Sequence, residues 1–129
     1  MQVYSSIIKV SKNDLDELNH VNNVRYIQWV QDIAKTHWQR NATPEILQNY
    51  FWVLTSHHIE YKSPALLDDE IRLETYVSKS EGLRSTRIVE MYNNETNKSV
   101  AKSETNWCLM DYKTMRPIRI TSEIIALFE

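Results

Sequence analysis

The chain has 129 residues, with fifteen basic and seventeen acidic side chains intermixed, which leaves neither a basic stripe for nucleic acid nor a polybasic membrane patch. Residues 1–129 are read as one domain, long enough to bury roughly two thirds of its unfolded surface without metals or disulfides. One glycine, Gly82, excludes glycine-rich phosphate loops, and one cysteine, Cys108, excludes an intrachain disulfide and points to a reducing, cytoplasmic setting.

In chain order, Gln2 to Val10 alternates as a first strand (Val3, Ile7, Ile8, Val10), with no charged-then-apolar secretory pattern. Ser11 to His20 is polar and turn-like. Val24, Ile27, Val30, Ile33, Ala34, His37 and Trp38 then recur at three- and four-residue intervals, which predicts one long helix with a wide apolar face. Gln39 to Asn49 reads as a polar connector. Four strands follow: Phe51 to Tyr61, Glu70 to Ser78, Leu83 to Tyr92 and Lys98 to Asp111, separated by turn-forming Pro64, Asp68-Asp69, Ser80-Glu81-Gly82 and Asn93 to Asn97. Cys108 lies in the last of these and reads as a small buried hydrophobe. Thr121 to Phe128 predicts a closing helical turn capped by Thr121 or Ser122. No apolar run approaches the roughly 20 residues of a membrane span.

Consecutive strands at hairpin spacing favour an antiparallel sheet with the helix on one face, an α+β layering. One helix covers only one sheet face, so pairing with a second copy is expected.

The stretch from Asp14 to Tyr26 sets acids, an imidazole and amides directly before the long helix. A helix N-terminus carries unpaired N–H groups and about half a positive charge, and attracts an anion or a developing oxyanion. Asp14 and Asp16 are equally compatible with turn roles, and Asn22 or Asn23 with helix capping.

The segment Asp14-Leu-Asp16 … His20-Val-Asn22-Asn23-Val-Arg-Tyr26-Ile-Gln-Trp29 resembles the entry to the central helix of hot-dog-fold acyl thioesterases, both the 4-hydroxybenzoyl-CoA thioesterase-like and the plant acyl-ACP types. His58-Ile-Glu60-Tyr61-Lys-Ser-Pro64, Ala101 to Trp107, and Asp111 to Pro117 resemble later pieces in the same order. The resemblance implies a long central helix wrapped by an antiparallel sheet of five or more strands, assembled as a homodimer or homotetramer. It implies hydrolysis of acyl-CoA or acyl-ACP thioesters without cofactor or metal.

Asp16 falls on the bacterial family's catalytic carboxylate, as nucleophile or general base. His20 would orient it or polarise water, Asn22 and Asn23 would contact substrate or cap the helix, and N–H groups around Asn23 and Val24 would form the oxyanion hole. A thiol of pKa near 8.5 leaves without much acid assistance, so one carboxylate can suffice. Three positions depart from the patterns. Pro64 stands where the plant enzymes carry an acid, a few residues after the Glu60-Tyr61 pair. Leu18 replaces the amide of the plant Asp-x-Asn-x-His motif, and Asn19 stands where the bacterial pattern has glycine, although asparagine tolerates the left-handed conformation. Asp32 could mimic the helix acid of another hot-dog branch. Lys62, Arg84, Arg87 and Arg116 are basic residues available for CoA phosphates, Trp52, Leu54 and Trp107 are candidate walls of an acyl tunnel, and Tyr26, Trp29, His37, His57 and His58 read as structural. The competing functions are a hot-dog dehydratase and a non-catalytic acyl-binding module.

Overall fold

A computed structural model describes all residues, 1–129. Strand β1 is Tyr4–Lys9, followed by a 3-10 turn at Lys12–Asp14 and helix α1 at Asn23–Asn41. Short helix α2 (Pro44–Asn49) leads into β2 (Tyr50–Tyr61), β3 (Glu70–Glu81), β4 (Arg84–Asn93) and β5 (Ser99–Asp111), and the chain closes with β6 (Arg116–Pro117) and α3 (Ser122–Ala126). All strand pairings are antiparallel. The order across the sheet is β1-β3-β4-β5-β2, with β6 on β5.

This is the hot-dog arrangement, α+β, in which the sheet curls around α1. The helix starts where Asn22 caps it, its Oδ1 accepting Val24 N–H at 3.0 Å. Its apolar stripe (Tyr26, Trp29, Val30, Ile33) packs on Ile71, Leu73, Val89, Met91 and Ala101 of the inner sheet face in one continuous core. A smaller cluster joins Ala42, Ile46, Leu109, Ile120 and Ile124, and ties α2 and α3 to β5.

The connector Gln39 to Asn49 is not plain loop, since it contains α2. Thr43 Oγ1 accepts Ile46 N–H at 3.1 Å, Pro44 sits in the first turn, and Glu45 is favourable there. Strand β6 has no counterpart among the predicted elements, and Cys108 is half-buried rather than buried. No helix is long and apolar enough to cross a membrane.

One polar group lies deep in this packing. His37 is 1% exposed, stacked on Tyr4 and edge-on to Phe128. Arg87 donates to its Nδ1 at 2.9 Å, so Nδ1 is the acceptor and the ring proton sits on Nε2, which donates to Gln2 Oε1 at 2.8 Å. Burial first, and the Arg87 charge second, lower its pKa from 6.5 to about 4. The unfolded chain therefore takes up a proton before the native state does. Stability is complete above pH 6.5 and falls between there and pH 4, by up to about 3 kcal/mol. Urea denaturation across this range should show a loss larger in the native chain than in His37→Gln by about 3 kcal/mol.

Candidate active site

The loop between β1 and α1 closes on itself. Leu15 and Val21 form an antiparallel bridge, Asp16 N–H donates to the His20 carbonyl at 2.7 Å, and Asn22 N–H to the Asp14 carbonyl at 2.8 Å. So tight a turn needs one residue in the left-handed region, and Asn19 supplies it at φ 60°.

Asp14 anchors the loop. It is 4% exposed, its Oδ2 accepts the N–H and hydroxyl of Ser11 at 2.8 and 3.1 Å, and its Oδ1 accepts Arg25 Nε at 2.8 Å. Burial pushes its pKa up, but the Ser11 hydrogen bonds and the Arg25 guanidinium outweigh this and hold it below 3.8. Both its oxygens face fixed donors, so its role is architectural.

Asp16 is held differently. Its Oδ1 accepts the N–H groups of Leu18 (2.8 Å) and His20 (3.1 Å), while Oδ2 has no protein partner. One oxygen fixes the side chain and the other is left free. Asp16, His20 and Asn23 come together in a recess of about 280 Å³, with Tyr26, Tyr61 and Lys62 among its other lining residues. Asn23 occupies the first helical position, and its N–H has no protein acceptor.

Asn22 and Val24 do not line this recess. Asn22 spends its side-chain oxygen on the cap, which also occupies the Val24 N–H, and the Val24 side chain is 67% exposed. Of the two amides weighed between capping and substrate contact, Asn22 caps and Asn23 faces the recess.

Tyr26 combines two roles of which the sequence suggested one. It is 3% exposed and edge-on to Trp29 and Tyr61, as a core residue would be. It also lines the recess, and its hydroxyl oxygen accepts Ala65 N–H at 3.2 Å. Burial, then the charges of Tyr61, Asp16 and Asp69, raise its pKa, so the phenol keeps a proton to donate. The Tyr61-Lys-Ser-Pro64 segment joins the recess from the end of β2, a neighbourhood set by topology rather than by local spacing.

The remaining candidates separate from this place. Asp32 is exposed on α1, accepts Gln28 Nε2 at 2.8 Å, and lines a different cavity. His57 points inward from β2 and is half-buried, while His58 points out beside Glu60. Arg84 and Arg116 are exposed, but Arg87 is 6% exposed, which removes it from the surface set expected for CoA phosphates. No group of three or more His, Cys, Asp or Glu side chains gathers in metal-binding fashion.

A curled antiparallel sheet around one long helix is the hot-dog arrangement. The sequence matches the thioesterase-like superfamily over residues 10–128, and the chain belongs to that family. It is 23% identical over 122 residues to the long-chain acyl-CoA thioesterase FadM of Escherichia coli (strain K12), covering 91% of this chain and 90% of that one. Among solved structures it is similar to the probable thioesterase YbaW from Escherichia coli, with a TM-score of 0.81, 22% identity, and coverage of 95% and 94% of the two chains. It is also similar to SAV2348 from Staphylococcus aureus, solved in complex with CoA, with a TM-score of 0.86, 15% identity, and coverage of 98% and 81%. The 1,4-dihydroxy-2-naphthoyl-CoA thioesterase Slr0204 from Synechocystis gives a TM-score of 0.83 at 12% identity, covering 97% and 94%. At these identities the structural likeness is one of fold.

Asp14→Asn should cost about 1–3 kcal/mol at neutral pH, because charge-assisted bonds to Ser11 and Arg25 are weakened in a buried place. The native carboxylate's contribution is complete above pH 3.8 and is lost as pH falls through its lower folded value. In denaturant titrations the gap between native chain and variant should narrow at acid pH.

Proposed function

We propose that the protein hydrolyses acyl-CoA thioesters in the Asp16 recess. The observation that carries this reading is the free Oδ2 of an otherwise pinned Asp16, in a recess also lined by Asn23, the first residue of α1, whose N–H is unpaired. Asp16 Oδ2 attacks the thioester carbonyl or takes the proton of an attacking water. Asn23 N–H, backed by the helix dipole, stabilises the oxyanion that forms, and the thiolate leaves without further acid. His20 and the Tyr26 hydroxyl orient the nucleophile or the water. Asn22 supports the site as the cap that aims the helix, and Val24 contributes through that same cap.

The named activity of FadM and the CoA seen with SAV2348 support a CoA thioester as substrate. Lys62, in the recess, offers a cation to the CoA phosphates. A carrier-protein thioester is the competing substrate form. The outer edge of β2 has no partner along its twelve residues, which supports association of two copies into a homodimer or homotetramer. We take residues 1–129 as one catalytic domain working in the cytoplasm.

Asp16→Ala and Asp16→Asn should lower free-thiol release from acyl-CoA by at least about 100-fold, the usual reach of a positioned general base, with unchanged thermal unfolding. Full activity in both folded variants would exclude this mechanism. A panel of CoA and carrier-protein thioesters from short to long chain sets the substrate form. Hydration without thiol release would indicate the dehydratase, and binding without turnover an acyl-binding module. Single turnover in ¹⁸O-water tests for a covalent intermediate. A first product without label, with the label left in Asp16, shows attack by Asp16 followed by water opening the anhydride at the Asp16 carbonyl; a labelled product with unlabelled Asp16 shows water arriving at the acyl carbonyl.

A further inference from the structure

A second cavity, of about 570 Å³, lies between α1, the start of β2 and strands β3 to β5, and shares no lining residue with the Asp16 recess. Its size falls within the roughly 300–1,000 Å³ of small-molecule sites. Trp38, Phe51, Trp52 and Trp107 line it, as apolar aromatic ligand walls do.

Arg87 also lines this space. It is 6% exposed, and none of the chain's ion pairs involves it. Its protein partners are neutral: Nη1 donates to His37 Nδ1 at 2.9 Å and to Thr75 Oγ1 at 3.0 Å, and the guanidinium lies 5.4 Å from the Phe128 ring centre. Nε and Nη2 donate to no protein acceptor, yet neither is fully buried, and Arg87 lines the cavity. The charged residues Asp32 and Lys35 line the same space from the exposed face of α1, and Asp32 is not within ion-pair distance of Arg87. Burial lowers the Arg87 pKa to about 10, so the group remains a cation at neutral pH. A buried cation without a counter-ion is costly, and an entering anion offsets that cost. The free donors of a guanidinium form a planar fork that matches a carboxylate.

We propose that this cavity binds a hydrophobic carboxylate, with its carboxylate on the Nε and Nη2 donors of Arg87 and its apolar body between the tryptophans. The carboxylate belongs either to a free acid or to the far end of an acyl group, and both present the same chemistry to Arg87. The binding claim concerns a different cavity from the Asp16 recess and stands whether or not that recess hydrolyses thioesters.

Trp38, Trp52 and Trp107 provide the readout. Fluorescence titration of the whole protein with decanoate and with decan-1-ol compares one apolar body with and without the charge. Decanoate should bind at least about tenfold more tightly, the worth of one charge-assisted hydrogen bond. Arg87→Lys should keep part of the preference and Arg87→Met should abolish it. If Arg87→Met does not fold, the acid-against-alcohol comparison in the native chain still decides. The source is read from KM for decanoyl-CoA and for the mono-CoA thioester of decanedioic acid. A lower KM for the diacid thioester, with the difference reduced in Arg87→Lys, assigns the carboxylate to the acyl group. Equal KM values together with decanoate preference assign it to a free acid. Equal affinity for acid and alcohol with equal KM values would overturn the proposal, as would an undiminished preference in folded Arg87→Met.

Discussion

Burial of the α1 stripe against the inner sheet face governs the rest of the molecule. Tyr26, Trp29, Val30 and Ile33 lose nearly all contact with water by packing on Ile71, Leu73, Val89 and Met91, each side chain contributing on the order of 1.5–3 kcal/mol. That packing fixes the axial position of the helix and so decides where its N-terminus emerges. The Asn22 cap and the Asp14–Arg25 pair then lock the entering loop to the first turn. Asp16 and Asn23 line one recess because the core has already placed the helix start beside the end of β2. A sheet that curled less would leave the same loop as an exposed turn.

The inner sheet face is not uniformly apolar. Arg87 on β4 stands opposite Thr105 on β5, which stands opposite His57 on β2, and Thr75 and Ser103 lie one pleat away. Hydroxyls satisfy much of this band: Thr75 Oγ1 donates to the Ile88 carbonyl at 2.9 Å, and Trp107 Nε1 donates to Thr105 Oγ1 at 2.8 Å. Two atoms, His57 Nε2 and Ser103 Oγ, are buried without a partner. Burial, with His58 second, lowers the His57 pKa and favours the neutral ring there. A polar strip beneath a helix sacrifices packing energy that Val or Leu would supply.

The long helix and the central strands were legible because period 3.6 and period 2 are written directly in the side chains. The Asp16 loop was legible through the order of its polar residues, and Asn19 through its tolerance of φ > 0. What the sequence left obscure depends on chain folding over distance. Helix α2 is too short for a periodic stripe, although Thr43-Pro44-Glu45 is a starting signal that could have been read. The entry of Tyr61 to Pro64 into the recess depends on how β2 ends beside α1, which no local spacing encodes. Arg87 was placed with surface cations by residue type. Its parity with Val89 and Met91 on β4 pointed inward and was the better guide, because strand alternation sets the face regardless of charge.

Three charged side chains of this fold show how satisfaction separates roles. Asp14 and Arg87 are almost equally buried, at 4% and 6% exposure, yet their surroundings are opposite. Asp14 meets a cation and two further donors and has nothing left to offer a ligand, so its charge is spent on structure. Arg87 meets only neutral acceptors and an aromatic face, and retains two unused donors at a cavity wall. Asp16 lies between these extremes: one oxygen is fixed by two N–H groups and the other is free. A fully paired charge can only hold, and an unrestrained one can hold no geometry. Groups that are half satisfied are both positioned and available, and in this chain they sit where space has been left beside them.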